Sequence, residues 1–356
     1  MNLNFALLGC GRIAQKYAEI LAGGFVTGGH LVAVCDIKEE RARAFGEKYD
    51  VPFFTDMHVM METVSEIDVV TVLTESGAHA GNVVDLSAYG KHLVVEKPMA
   101  LTVADADRMI EACDRARVQL FVVKQNRYNL AVQRLRDALE AGRFGRLTLG
   151  TVRVRWCRTQ EYYDQDPWRG TWADDGGVFS NQASHHVDLL EWMLGEPISV
   201  FAKSRTALVN IETEDTGVAM LTFQNGALGL VEATTATRPK DLEGSLSILG
   251  EKGTVVIGGF AVNKILTWDF VDQLPEDEKV FEEGDEDPPN VYGFGHIPYL
   301  EKVIESISNK TPALVDGLEG RRSLELISAI YESIETGNEI VLRFAPKKCR
   351  LGIRQS

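Results

Sequence analysis

The chain has 356 residues, 45% of them hydrophobic and 25% charged, with a formal net charge of −15 at pH 7. At about 150 residues per domain this length predicts two domains, with core enough to stand without disulfide or metal staples. The acidic balance and the lack of any Lys/Arg cluster exclude a non-specific nucleic-acid binder, but not a small anion held in a local cationic pocket.

Along the first 124 residues, unbroken apolar runs alternate with helical patterns. The runs are Phe5 to Leu8, Leu31 to Cys35, Val69 to Leu73, Leu93 to Val95 and Leu120 to Val123. Unbroken runs are expected of strands covered on both faces, so residues 1–124 are predicted to form an α/β domain with a doubly wound parallel sheet. A helix over Asn129 to Ala141 follows. Then come alternating segments at Thr148 to Trp156, Val200 to Val209, Thr216 to Phe223, Ala227 to Thr234 and Ser245 to Leu249, separated by turns such as Gln224-Asn225-Gly226. They predict a second, α+β domain over 125–344 with a mostly antiparallel, open sheet, interrupted by a helix from about Ser180 to Leu194. The acidic stretch Leu274 to Pro289 reads as a solvated loop. Helices near Ile297 to Ser308 and Gly320 to Thr336 follow, and 345–356 reads as a frayed basic tail.

Five cysteines without C-x-x-C spacing (Cys10, Cys35, Cys113, Cys157 and Cys349) point to reduced thiols in the cytoplasm rather than a disulfide framework or zinc site. The start shows no charged n-region before an apolar stretch, and no apolar run reaches about 18 residues, so no membrane partner is expected.

Gly9, Gly11 and Ala14 form G-x-G-x-x-A between the first strand and the first helix. Gly9 permits the tight turn, Gly11 lets backbone approach a pyrophosphate, and Ala14 lets the helix pack on the sheet. The helix start then offers free N–H groups to the phosphates. Asp36 ends the second strand, where a carboxylate accepts from ribose hydroxyls and repels a 2′-phosphate, which favours NAD. It could also cap a helix beginning at Lys38, and the two roles are compatible. Arg12 and Arg41 keep NADP open.

Glu96-Lys97-Pro98 follows the Leu93 to Val95 strand, at the carboxyl end where ligands of open α/β sheets bind. Proline holds Lys97 extended and so fixes where its side chain projects. With the glycine-rich turn, with Glu96-Lys97-Pro98, and with Gly176-Gly177 leading to His185-His186-Val187-Asp188, the chain resembles the glucose-fructose oxidoreductase, inositol dehydrogenase and rhizopine-catabolism family of sugar dehydrogenases over nearly its whole length. The resemblance implies an NAD-dependent enzyme with Lys97 and His185 as catalytic residues. It implies cofactor contacts at Gly9, Gly11, Arg12, Ile13, Ala14, Asp36, Thr74, Ser76, His79, Glu96, Lys97, Asn126, Trp168 and Arg169. A homodimer or homotetramer formed through the open sheet face is also implied.

The family's third motif has Asp four residues before His. Here Asn181 takes the Asp position, which removes a negative charge and suits an anionic substrate. On one helix Asn181, His185 and Asp188 would share a face, with Val187, Leu190 and Leu194 opposite and His186 nearer the apolar side as a satisfied structural histidine. With an intrinsic pKa of roughly 6.5, His185 is the natural base for the hydroxyl proton. Lys97 would stabilise the developing alkoxide. His185 and His186 diverge by about 100° on a helix, which argues against a metal site.

A narrower similarity rests on Lys124-Gln125-Asn126-Arg127-Tyr128-Asn129, on the segment from Arg158 to Gly170, on Asn181 to His185, and on Pro288 to Gly293. These are similar to the branch that oxidises UDP-N-acetylglucosaminuronic acid at C3 during bacterial surface polysaccharide synthesis. It implies substrate contacts at Lys97, Gln125, Arg127, Tyr128, Arg158, Tyr163, Trp168, Asn181, His185, Asn290 and Tyr292. Arg127, Arg158 and Arg169 are candidates for the carboxylate and diphosphate through forked guanidinium groups. Alternatives are a dehydrogenase of a free sugar or inositol, and a non-catalytic NAD-binding regulator, which would need neither Lys97 nor His185.

Overall fold

The structure is a computed structural model that describes residues 2–283, 293–342 and 351–352. The chain divides into two units. One contains Met1–Lys124 and His296–Arg321, the other Gln125–Gly295 and Arg322–Ser356.

In the first unit the order is β1 (Leu3–Leu8), α1 (Arg12–Ala22), β2 (Gly29–Cys35), α2 (Glu39–Tyr49), β3 (Phe53–Phe54), α3 (Met57–Thr63), β4 (Val69–Val72), α4 (His79–Ser87), β5 (His92–Val95), α5 (Val103–Ala116) and β6 (Leu120–Val122). All six strands are parallel, in the order β3-β2-β1-β4-β5-β6. Phe5, Val70 and Val94 in the central strands are wholly buried, as the unbroken apolar runs require. Strand order reverses between β1 and β4, the position where such sheets open a ligand crevice. The edge strand β3 is two residues long, too short to show as an apolar run.

The second unit carries α6 (Leu130–Glu140), β7 (Leu147–Arg155), α7 (Gln160–Tyr163), α8 (Ser184–Leu194), β8 (Pro197–Arg205), β9 (Thr216–Phe223), β10 (Leu228–Thr234), β11 (Glu243–Gly250), β12 (Gly253–Gly258), β13 (Lys264–Phe270) and α9 (Val280–Glu283). After it come α10 (His296–Asn309), α11 (Gly317–Thr336), which spans the boundary between the units, and β14 (Ile340–Val341). The eight strands run β13-β12-β11-β7-β10-β9-β8-β14, antiparallel except for β7 beside β10. One sheet face packs against α8, where Leu190 and Leu194 sit over Gly150. The opposite face leaves Val218, Met220 and Leu228 about half exposed, beside an Arg153, Arg155, Glu232 and Glu243 ion-pair cluster.

The domain plan expected from the sequence differs in one respect. Helix α10 groups with the first unit rather than the second. Its Glu301 accepts from the Thr27 amide (3.1 Å), and Gln119 donates to Ser306 Oγ (3.3 Å) and Thr311 O (3.0 Å). No local pattern signals such a return of the chain.

The acidic stretch also departs from a plain solvated loop. Pro275–Lys279 form a 3-10 turn that runs into α9. Asp277 accepts two hydrogen bonds from Arg143 (2.7 and 2.6 Å) and one from the Trp268 indole (2.7 Å). Residues 284–289 lie outside the described residues. Of the tail, Leu351 is buried and Gly352 donates to Trp172 O (2.6 Å), so this part is docked rather than frayed.

Candidate active site

The site is described one unit at a time. In the first unit four of the residues singled out from the sequence stand just beyond the carboxyl end of a parallel strand: Gly9 after β1, Asp36 after β2, Thr74 after β4 and Glu96 after β5. Gly9 has φ +97°, and a Cβ there would lie 2.8 Å from the Leu73 backbone. Gly11 differs, because a Cβ on it would meet nothing within 4 Å. No protein atom requires glycine at that position. The open space is what a pyrophosphate approaching the backbone would need.

Gly11 is the N-cap of α1 and supplies no side-chain cap, so the first-turn N–H groups remain available to phosphate. Ala14 is fully buried against the sheet, Ile13 is half-buried and Arg12 is exposed. Asp36 braces the turn, since Oδ2 accepts from the Cys10 amide and Oδ1 from the Lys38 amide, both at 2.8 Å. Helix α2 starts only at Glu39, so the carboxylate ties the turn to β2 rather than capping that helix directly.

Glu96 is buried behind Lys97. Its Oε2 accepts from the Lys97 amide (2.9 Å) and its Oε1 from the Tyr17 hydroxyl (3.0 Å), with His296 Nε2 3.6 Å away. Burial pushes this carboxyl up, but His296 and Lys97 outweigh it and hold it below its ordinary value. Glu96 therefore anchors the backbone that presents the half-buried Lys97. His79 is also buried, with Nδ1 2.8 Å from Pro98 O and Nε2 3.0 Å from Thr74 O. It braces the β4 and β5 exits against each other. Thr74 Oγ1 accepts from Asn82 (3.0 Å), and Ser76 is buried.

In the second unit the predicted helix starts four residues late. Asn181 sits in a turn before α8, with its amide bonded to Gly177 O (2.9 Å), and Ser184 Oγ donates to Asn181 O (3.1 Å). The two-faced picture of the helix also fails. His185, His186, Asp188 and Glu191 are buried together with the apolar residues, as in a helix enclosed on all sides. His186 is not hydrogen-bonded as expected. Among the described residues neither ring nitrogen has a partner, the ring meets Trp156 edge-on, and burial pushes its pKa down to about 4.

Arg127 is a correction. It is 2% exposed, and its Nε and Nη2 donate to the two oxygens of Asp188, both at 2.8 Å, while its guanidinium lies over the Trp192 ring. The forked edge that would grip a substrate carboxylate is bound to the α8 helix. Tyr163 is another. It is 5% exposed, and its hydroxyl contacts Thr235 Oγ1 (3.1 Å). Its neighbour Tyr162 instead accepts from Arg169 (2.8 Å) and is stacked by Arg158 and Arg169. Arg169 also covers Trp168, and Arg158 pairs with Asp241 (2.9 Å). Gln125 and Asn126 are buried, and burial pushes the Tyr128 phenol up to about 12. Asn290 and Tyr292 lie outside the described residues.

Three contributors have no sequence signal. Tyr331 OH accepts from the amides of Gly177 (3.1 Å) and Ser180 (3.3 Å) and donates to Glu214 Oε1 (2.8 Å), which also accepts from the Phe179 amide (3.1 Å). A Cβ on Gly177 would lie 2.1 Å from the Glu214 carboxyl, which accounts for the glycine. Asp175 accepts from the Asn181 amide group and from the Gly170 N–H. These side chains satisfy the turn that carries Asn181, and only the Gly176-Gly177 pair hinted at a close approach there. Among the described residues, no group of three or more His, Cys, Asp or Glu could hold a metal ion, and no helix is long and apolar enough to cross a membrane.

Known proteins match both halves of the fold. Residues 3–124 match the family model "Oxidoreductase family, NAD-binding Rossmann fold", and residues 132–256 match "GFO/IDH/MocA C-terminal domain". The chain is similar to the WlbA dehydrogenase of Bordetella pertussis (42% identity, TM-score 0.88, covering 96% of this chain and 97% of that one), crystallised with NADH and UDP-GlcNAcA. The WlbA dehydrogenase of Chromobacterium violaceum, with the same two ligands, gives 41% identity and a TM-score of 0.89 over 96% of each chain. The myo-inositol 2-dehydrogenase of Thermotoga maritima is 27% identical over 96% of this chain and 98% of its own length. With both halves of its fold matched and the glycine-rich cradle open for a dinucleotide, the chain belongs to the GFO/IDH/MocA oxidoreductase family and is an NAD-dependent dehydrogenase.

Proposed function

We propose that the protein oxidises the C3 hydroxyl of UDP-N-acetylglucosaminuronic acid to the 3-keto sugar. The observation that carries this reading is similarity above 40% identity, over nearly the full length, to two dehydrogenases crystallised with NADH and that nucleotide sugar. NAD held at the glycine-rich turn would supply the acceptor for the hydride that leaves the carbinol carbon with its bonding electrons. His185 takes the hydroxyl proton as the C=O bond forms. Lys97 stabilises the negative charge building on that oxygen from a backbone held by Glu96.

Asn181, Trp168, Arg158 and Arg169 are assigned to the sugar and its anionic groups, with Gln125 and Tyr128 beside them. Asn290 and Tyr292 are assigned to the nucleotide end. Asn126, Trp168 and Arg169 are also assigned to the cofactor. The half-exposed apolar face of the β8–β9–β10 sheet supports a homodimer or homotetramer formed through it. The setting we infer is the bacterial cytoplasm, in surface polysaccharide synthesis.

The relative named for myo-inositol favours a second reading, a free polyol as substrate. Incubating the protein with NAD and either compound, and following NADH absorbance, separates the two. NADH with the nucleotide sugar and none with inositol is expected; the reverse would replace the first reading by the second.

A further inference from the structure

Where the family carries Asp, this chain has Asn181, and the structure shows what lies behind it. The Asn181 side chain faces the carboxylate of Asp175, a residue only 1% exposed. A carboxylate only accepts hydrogen bonds, so the Asn181 atom turned toward it is the NH2 group. The other Asp175 oxygen is held by the Gly170 N–H at 2.7 Å in a buried contact. Around it the loop is closed by Thr213, whose hydroxyl lies 3.1 Å from Gly170 O and 3.2 Å from Gly176 O, and by the Gly176 amide on Thr171 O (2.8 Å). Asp175 is thereby fixed through both oxygens.

We infer that Asp175 is a positioning residue that sets the polarity of the Asn181 amide, turning its NH2 inward so that Oδ1 is offered to a substrate hydroxyl as an uncharged acceptor. The chain keeps the acceptor that an Asp at 181 would provide, and places the negative charge on buried Asp175 behind it, away from an anionic sugar. This rests on the reading above that Asn181 touches the substrate.

Three variants test it: Asp175→Asn, Asn181→Asp and the exchanged pair carrying both. In Asp175→Asn, Oδ1 of the new side chain still accepts from Gly170, so its NH2 faces residue 181. Asn181 must then turn its oxygen inward and its NH2 toward the substrate. Mismatching one buried hydrogen bond in this way is expected to lower kcat/KM roughly tenfold to a hundredfold, with thermal midpoint and NAD affinity held. The exchanged pair restores an inward donor at 175 and an outward oxygen at 181, and is expected to recover most of the loss in kcat, while the charge it returns to 181 keeps KM for the anionic sugar raised. Asn181→Asp alone sets two carboxylates to share one proton, so its rate relative to wild type should fall with rising pH.

An exchanged pair no better than Asp175→Asn, or losses that follow the thermal midpoint, would reduce Asp175 to a structural brace and overturn the inference. Wild-type protein silent with UDP-N-acetylglucosaminuronic acid would instead overturn the substrate reading. The same series is then measured on myo-inositol, where recovery by the exchanged pair still supports the role of Asp175 and its absence still refutes it.

Discussion

The glycine-rich turn and the 170–183 loop are built on opposite principles. In the turn, the groups assigned to the ligand belong to the backbone, and the sequence has to leave room for it: Gly11 opens onto empty space. In the loop, the polar side chains are spent on one another. Asp175 holds Asn181, Glu214 and Tyr331 hold the 177–180 amides, and just beyond the loop, on α8, Asp188 is held by Arg127. A site made of backbone can be read from spacing along the chain. One made of side-chain pairs depends on residues far apart in sequence, such as Glu214 and Tyr331.

The comparison can be broken first at the groups assigned to chemistry. Lys97→Met and His185→Asn should each lower kcat by roughly 10²- to 10⁴-fold, the usual weight of a positioned proton-transfer or charge-stabilising group. NAD affinity, read by fluorescence titration, should stay near wild type for His185→Asn. Turnover left intact in both would remove them from the mechanism.

Next in size is the buried pair in the second unit. Arg127→Ala strands Asp188 and should cost about 3–5 kcal/mol, whereas replacing both partners together by Met and Leu should recover much of it. Urea unfolding measures both. A stable Arg127→Ala protein with a raised KM for the anionic sugar would return Arg127 to the substrate.

Glu214 gives a pH signature. Burial raises its carboxyl from 4.5 to about 7, against the pull of the Phe179 amide and Tyr331. The folded state therefore holds a proton that the unfolded state releases, so this contribution is full below pH 4.5 and is lost as pH rises to about 7. The shift corresponds to about 3 kcal/mol. Buried His186 works in the opposite sense, because it destabilises the fold as pH falls from 6.5 to about 4. The difference between wild type and Glu214→Gln isolates the first effect, and a difference that does not vary between pH 4.5 and 7 would contradict it.

The smallest effects should separate the two glycines of the turn. Gly11→Ala meets no protein atom and should leave the thermal midpoint unchanged while weakening NAD binding. Gly9→Ala meets the Leu73 backbone at a positive φ and should destabilise the fold by about 1–3 kcal/mol. Equal behaviour of the two would dissolve the distinction.

Much of the fold was legible because it repeats simple patterns. Unbroken apolar runs marked β1, β2, β4, β5 and β6, and alternation marked β7 to β11. Strand β3 is too short to show, β12 and β13 are masked by the glycine-rich turns before them, and the return of α10 to the first unit leaves no local trace. At the site, Gly9, Gly11, Asp36 and Glu96-Lys97-Pro98 could be placed by position beyond strand ends. Arg127 and Tyr163 mark the limit, because a charged or phenolic side chain in a polar segment gives no sign of which way it turns. Here both turn inward, to Asp188 and to Thr235.

The most direct test of the proposed chemistry is isotopic. UDP-N-acetylglucosaminuronic acid carrying deuterium at C3 is incubated with the protein and NAD, and both products are weighed by mass spectrometry. The account predicts deuterated NADH and a 3-keto sugar free of label; NADH formed without deuterium, with the label retained in the sugar, would contradict it.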